Sequence, residues 1–282
     1  MDKIMNTEQR ILNTVLCHIG EEHLKLLRKW EVIIAGGAIT SAFTYTKVND
    51  IDCYFKSKEH LIGLLNDVHD MNQEVFSSVW FMHFSDKATL VKDEESSQEV
   101  QYIYQKYYQT PKDIFNNFDF TINMGALKLG KTPEEDEVVL HKDFEKHCLS
   151  RKLVVNTKSQ YPLVSMFRVE KYKERGYSLD NKEMLKMLLM VNNLEIDNWD
   201  QVKEHFSGFY GSIIQAFEGT INTFSKQSLL ECVEGSFIGS EGDLFITIGG
   251  MDVNDYSATP YDFETLISGW RNNGNIPSLE CV

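Results

Sequence analysis

The residues of this chain whose types and spacing could do chemistry are Gly36-Gly37 and, a short distance on, Asp50-Ile51-Asp52. Paired glycines let the backbone take positive φ and let a bulky ligand come close to it. Ala38 to Phe43 reads as a helical turn whose leading N–H groups have no intrahelical acceptor and point back at that ligand, a seat for phosphate. Asp50 and Asp52 are two apart, so on a strand they share a face and project together toward the glycine turn. Two carboxylates held side by side repel one another unless a cation or proton intervenes. Magnesium, held by one or two carboxylates plus substrate phosphates, suits such a pair. A lone D-x-D reads equally well as a turn cap at Asp50 with Asp52 facing water. The glycine turn, one short helix upstream, weighs against that plainer reading.

Several elements must position these groups. Val32 to Ala35 is an apolar, β-branched strand running into the glycines. Before it, Asn6 to Trp30 has apolar residues at helical spacing, which predicts one amphipathic helix capped by Asn6 or Thr7. His18 and His23 in it read as surface or packing residues. After the D-x-D strand, Ser57 to Met71 reads as a helix, and Val79–Phe84, Ala88–Val91 and Val100–Gln105 as short strands. The tyrosines around the last of these, 102, 104, 107 and 108, read as strand packing rather than base-stacking groups. Thr110-Pro111-Lys112-Asp113 is a helix start, with proline at the first helical position. Lys131 to Glu137 reads as a charged loop, Val138–Leu140 as a strand and His141 to Leu153 as a helix. Pro162 to Gly176 then reads as a helix with Gly176 beyond its end, and it carries Arg168, Lys171, Tyr172 and Arg175 on one face. On charge alone that stripe is a solvated face beside Glu170 and Glu174. Asn181–Val191 and Trp199–Phe217 look helical, Asp243–Ile248 a strand, and Thr259 to Trp270 a last helix.

The order of glycine pair, short helix and D-h-D strand (h apolar) resembles the nucleotidyltransferase fold of DNA polymerase β, CCA-adding enzymes and poly(A) polymerases. That resemblance implies an α+β fold: a polymerase β-like mixed sheet with flanking helices, followed by a mostly helical C-terminal domain. It also implies a third carboxylate on a later strand. Phe118-Asp119-Phe120-Thr121-Ile122-Asn123 supplies Asp119, sixty-seven residues beyond Asp52 (119 − 52), on a strand expected to continue through Leu129. The segment is similar to the RRDFTINA motif of class II CCA-adding and bacterial poly(A)-adding enzymes. Two departures matter. Gly36-Gly37-Ala38-Ile39-Thr40-Ser41 lacks the Arg-Asp pair of GGxVRD, and Asn117 and Phe118 replace the double arginine. The catalytic core carries over, and CCA-specific base selection does not; small phage-type nucleotidyltransferases resemble the chain better. The resemblance implies Asp50, Asp52 and Asp119 as catalytic metal ligands for Mg²⁺ or Mn²⁺. It further implies Gly36, Gly37 and Ser41 at the phosphates of an NTP, with Arg168 and Lys171 as triphosphate contacts.

The 282 residues fit a catalytic domain over 1–155 and a helical C-terminal domain with an irregular tail over 156–282. No apolar run approaches the roughly 20 residues of a membrane span, and the N-terminus lacks the apolar stretch of a secretory signal. Cys17, Cys53, Cys148, Cys232 and Cys281 form no C-x-x-C pair, which favours free thiols in a cytoplasmic protein over a zinc module. His147-Cys148, alone, reads as a helix-surface accident. A net charge of −14 counts against broad nonspecific binding of nucleic acid, which depends on counterion release. Absence of G-x-S-x-G argues against a serine hydrolase of that type. The resemblance thus implies nucleotidyl transfer from an NTP to an RNA 3′ end, a protein or a small-molecule hydroxyl. The alternative is a weakly active or inactive nucleotidyltransferase-fold protein that works by contact in a toxin–antitoxin or defence complex.

Overall fold

The computed structural model describes residues 6–74, 81–84, 88–92, 96–206 and Ser225. Contacts divide the chain into two units, one running through Ser150 and the other beginning at Arg151. The strand expected at Asp243–Ile248, the helix at Thr259–Trp270 and the end of the Trp199–Phe217 helix lie outside the described residues.

The first unit opens on α1 (Thr7–Leu16), where the Asn6 side chain accepts from Gln9 N at 2.7 Å. The expected single helix to Trp30 is two, because the chain turns at residues 17–20 before α2 (Glu21–Lys29). Gly20 is extended at φ −60°, ψ 150°, and its N–H is held by Ser96 Oγ at 3.0 Å. His18 O accepts from Ser97 N. Hydrogen bonds to a distant segment thus replace the helical ones at the break.

β1 (Ile33–Ala35) leads into α3 (Gly37–Thr44), and β2 (Asp50–Tyr54) follows. α4 (Lys58–Glu74), β3 (Phe81–Phe84), β4 (Ala88–Lys92) and β5 (Glu99–Ile103) come next, then α5 (Pro111–Phe115). Thr110 and Asp113 close a reciprocal capping box on α5, as the Thr-Pro start predicts. β6 (Gly125–Lys128), β7 (Glu137–Leu140) and α6 (Phe144–Leu149) complete the unit. Among the described residues the strands form one sheet in the order β3-β4-β5-β2-β1-β6-β7. Only β2 and β5 pair in parallel; the other neighbours are antiparallel. This is the mixed sheet with flanking helices expected.

Strand alternation divides the sheet's residues between two faces. Ile34, Ile51, Cys53, Val100, Tyr102 and Leu127 are fully buried on one face. α3 packs across β1, β2 and β6, with α1 and α6 against it. The buried His23 sits under Tyr102, with Nε2 and the phenol oxygen 2.6 Å apart, so both are packing groups. On the other face Ile33, Ala35, Tyr54 and Ala126 pack with Ile114, Phe115, Tyr108 and Met124. That apolar cluster covers one end of β2 and leaves Asp50 and Asp52 half-buried at the other.

In the second unit α7 (Pro162–Glu174) packs on α8 (Asn181–Asn192) and on α9 (Trp199–Phe206). Gly176, at φ +81°, follows the end of α7 and donates to Lys173 O at 2.8 Å. Positive φ there is why glycine ends this helix. The buried Glu183 carboxylate accepts from Val155 N at 2.8 Å and so fixes the segment before α7 onto α8.

Candidate active site

β1 ends where Gly36 takes φ +93° and ψ −134°, a conformation closed to residues with a Cβ. Its N–H is held by Gly125 O at 3.0 Å, and its carbonyl starts α3 by accepting from Ile39 N and Thr40 N. Gly37 is ordinary helix with open space at its α-carbon, so only the first glycine is demanded by the backbone. The leading N–H groups of α3, those of Gly37 and Ala38, have no acceptor within the helix.

Asp50 and Asp52 share the half-buried face of β2, as two-residue spacing requires, while Ile51 and Cys53 are buried on the other. A methyl group placed on Gly36 would lie 3.7 Å from Asp52 Oδ2 and 3.4 Å from Phe118 Cζ. The Asp52 carboxylate therefore stands at the glycine turn. Burial, and after it the Asp52 charge, pushes the Cys53 thiol well above its usual pKa, which keeps it protonated and inert. β5 runs parallel beside β2 with Glu99 opposite Asp50 and Gln101 opposite Asp52. These two polar neighbours were invisible in the sequence because they depend on strand register.

Asp119 is 2% exposed, but it does not lie on a strand running to Leu129. It occupies a bend, the chain makes a 3₁₀ turn over Thr121–Asn123, and β6 begins only at Gly125. The turn exists because its polar groups are taken by neighbouring helices rather than by a strand. Thr40 Oγ1 in α3 donates to Ile122 O at 2.6 Å, and Thr121 Oγ1 pairs with His147 Nδ1 at 2.6 Å. Cys148 is fully buried beneath the same turn, so His147-Cys148 is a packing pair and not an accident of a helix surface. Thr40 Oγ1 also lies 3.3 Å from Gly36 O, so one hydroxyl joins the glycine turn to the Asp119 segment.

Ser41 is buried one helical turn beyond Gly37. Arg168 and Lys171 are exposed on α7, whereas Tyr172 of the same stripe is buried against Tyr177. They belong to the second unit, and the carboxylates to the first. Among the described residues no three His, Cys, Asp or Glu side chains are grouped to hold a metal ion. The donor set that does stand together is the Asp50–Asp52 pair, which suits a hard divalent cation completing its shell with substrate phosphate oxygens. Among the described residues no helix is long and apolar enough to cross a membrane.

A strand ending in a positive-φ glycine turn, a helix beginning on it, and an adjacent antiparallel strand presenting two carboxylates are the arrangement expected of the nucleotidyltransferase fold. Residues 6–151, just over half of the chain, match the model of the Gabija anti-defense 2 family, and the chain belongs to that family. It is 34% identical over 199 residues to Gabija anti-defense 2 of Bacillus phage SPbetaL7, a match covering 71% of this chain. The match covers 47% of that relative, so the chain spans about half its length. Among solved structures, it is similar to the Thermotoga maritima CCA-adding enzyme complexed with tRNA, at a TM-score of 0.48 and 13% identity, covering 80% of this chain and 53% of that one. A tRNA nucleotidyltransferase complexed with a primer tRNA and an ATP analogue is similar at 0.46 and 13%, covering 77% and 64%.

Proposed function

We propose that this protein is a metal-dependent nucleotidyltransferase that works against the Gabija defence by moving an NMP from an NTP to an acceptor hydroxyl. The observation that carries the reading is the placement of Asp52 at the Gly36 turn, with Asp50 on the same face of β2. Core packing has no use for two neighbouring half-buried carboxylates, and their mutual repulsion opposes folding. In this reading Asp50 and Asp52 hold Mg²⁺ or Mn²⁺ together with the triphosphate. The Gly37 and Ala38 N–H groups and Ser41 hold its β- and γ-phosphates, and Asp119 is the third carboxylate. When bound, the metal spreads the charge of the triphosphate and makes the acceptor hydroxyl more acidic. The acceptor oxygen bonds to the α-phosphorus, the bond from that phosphorus to the bridging oxygen breaks, and pyrophosphate leaves. The hydroxyl proton passes to Asp119 or to solvent. The family name favours a protein of the defence system as acceptor, and an RNA 3′ end is the other choice.

The test is incubation with each α-³²P-labelled NTP, Mg²⁺ or Mn²⁺, and either total RNA or the proteins of the Gabija system. Label should enter one acceptor class and be absent with Asp52→Ala, whose melting temperature should stay near that of the wild type. Transfer that persists in the variant overturns the assignment. A second reading, inhibition by contact alone, is favoured by the absence of a metal-holding trio among the described residues. It predicts that Asp52→Ala leaves inhibition of the defence intact.

A further inference from the structure

We propose that Phe118 selects the nucleotide, its ring offering an apolar platform for the nucleobase beside the carboxylates. The inference rests on the nucleotidyltransferase reading above. Phe118 immediately precedes Asp119, and its ring tip, Cζ and Cε1, is the nearest group to Gly36, 3.4 and 3.6 Å from where a methyl there would sit. The Asp52 carboxylate comes within 3.7 Å of the same point. A triphosphate seated on the α3 N-terminus and a cation on Asp52 therefore have Phe118 as their next neighbour.

The ring is more than filler for the core. Tyr54, Tyr108, Ile114, Phe115 and Met124 are themselves buried, and Phe118 lies at the margin of their cluster, only partly buried. Tyr54 meets it edge-on, with ring centroids 6.3 Å apart and planes at 78°, and Phe115 lies tilted at 6.4 Å and 32°. Two aromatic neighbours thus fix its plane while the ring itself stays only partly buried. A phenylalanine cannot neutralise phosphate, so what it offers a nucleotide is a π-face and apolar area. Stacking of a base on such a face tightens binding by about 5- to 150-fold. That is enough to favour the larger purines by a measurable factor.

The experiment is calorimetry on the full chain with Mg²⁺ and each of two ligand types, inorganic tripolyphosphate and the four NTPs. The wild type should bind purine NTPs more tightly than tripolyphosphate. Phe118→Leu should weaken NTP binding about tenfold and leave tripolyphosphate unchanged, whereas Phe118→Trp, with a larger face, should widen the purine preference. Unaltered NTP affinity in Phe118→Leu, or equal loss of both ligands, overturns the proposal while leaving the phosphate site standing. If Phe118→Leu fails to fold, Phe118→Trp decides, and unchanged relative NTP affinities in it overturn the proposal. Failure of the wild type to bind even tripolyphosphate overturns the reading of the site, and this inference with it.

Discussion

Gly36 and Gly37 are neighbours with different obligations. Gly36 holds φ +93°, and any side chain there is strained and brought against Phe118 and Asp52. Gly37 has helical dihedrals and nothing within 4 Å of a would-be methyl. Gly36→Ala should therefore cost roughly 1–3 kcal/mol of stability through its backbone strain and lower transfer by deforming the turn on which α3 and its leading N–H groups begin. Gly37→Ala should be neutral or stabilising in a urea titration. If it nonetheless lowers NTP affinity, the methyl is meeting the ligand itself. Thr40 makes the other prediction of this scale. Its hydroxyl binds Ile122 O inside the core, so Thr40→Val leaves a buried carbonyl short of a donor and should cost about 1–3 kcal/mol. Because that bond ties the Asp119 segment to the glycine turn, transfer should fall in kcat more than in KM. Thr40→Ser, which retains the hydroxyl, should restore it. Equal behaviour of the two variants would show that Thr40 has no positioning role.

At the scale of elements, what could be read in the sequence was what short-range chemistry decides. The capping box at Thr110, the glycine after α7 and the alternation of Asp50-Ile51-Asp52 each depend on a few adjacent residues, and each stands as expected. The reading failed where distant segments supply the hydrogen bonds. The helix broken at Gly20 is held by Ser96 and Ser97, and the turn after Asp119 by Thr40 and His147. No local pattern announces those partners. Phe118 at the glycine turn was likewise visible only as a departure from a motif. The stretch from Lys131 to Glu137, expected as a charged loop, shows the same effect. It contains a 3₁₀ turn over Pro133–Glu135, and Asp136 after it has a fully buried carboxylate. That carboxylate accepts from Arg28 Nη1 of α2 and from Gly130 N, while Oδ2 has no partner. Breaking a buried pair strands the remaining charge, so Arg28→Met should destabilise the protein by about 3–5 kcal/mol in urea denaturation. Arg28→Met with Asp136→Leu removes both charges and should recover much of that loss. A double variant no more stable than Arg28→Met would mean that the pair contributes through packing rather than charge.

For the whole molecule the question is whether this head acts by turnover or by occupancy, and stoichiometry separates the two. A chain of net charge −14 has no general attraction for nucleic acid. Membership of the Gabija anti-defense 2 family is compatible with either mode. A contact inhibitor must be present in at least equal amount to its target, and neutral substitutions inside a catalytic site should not matter to it. A transferase modifies many targets in turn and needs its carboxylates. Purified protein titrated against a fixed amount of the active Gabija system should, on our reading, silence it well below one equivalent when NTP and Mg²⁺ are supplied. Asp50→Asn with Asp52→Asn should remove that effect at every ratio, and omission of NTP should do the same. Inhibition that saturates at one equivalent, needs no NTP and survives the double substitution would make the carboxylates a relic of the fold. The protein would then be an inhibitor by contact, with Asp50 and Asp52 free to vary.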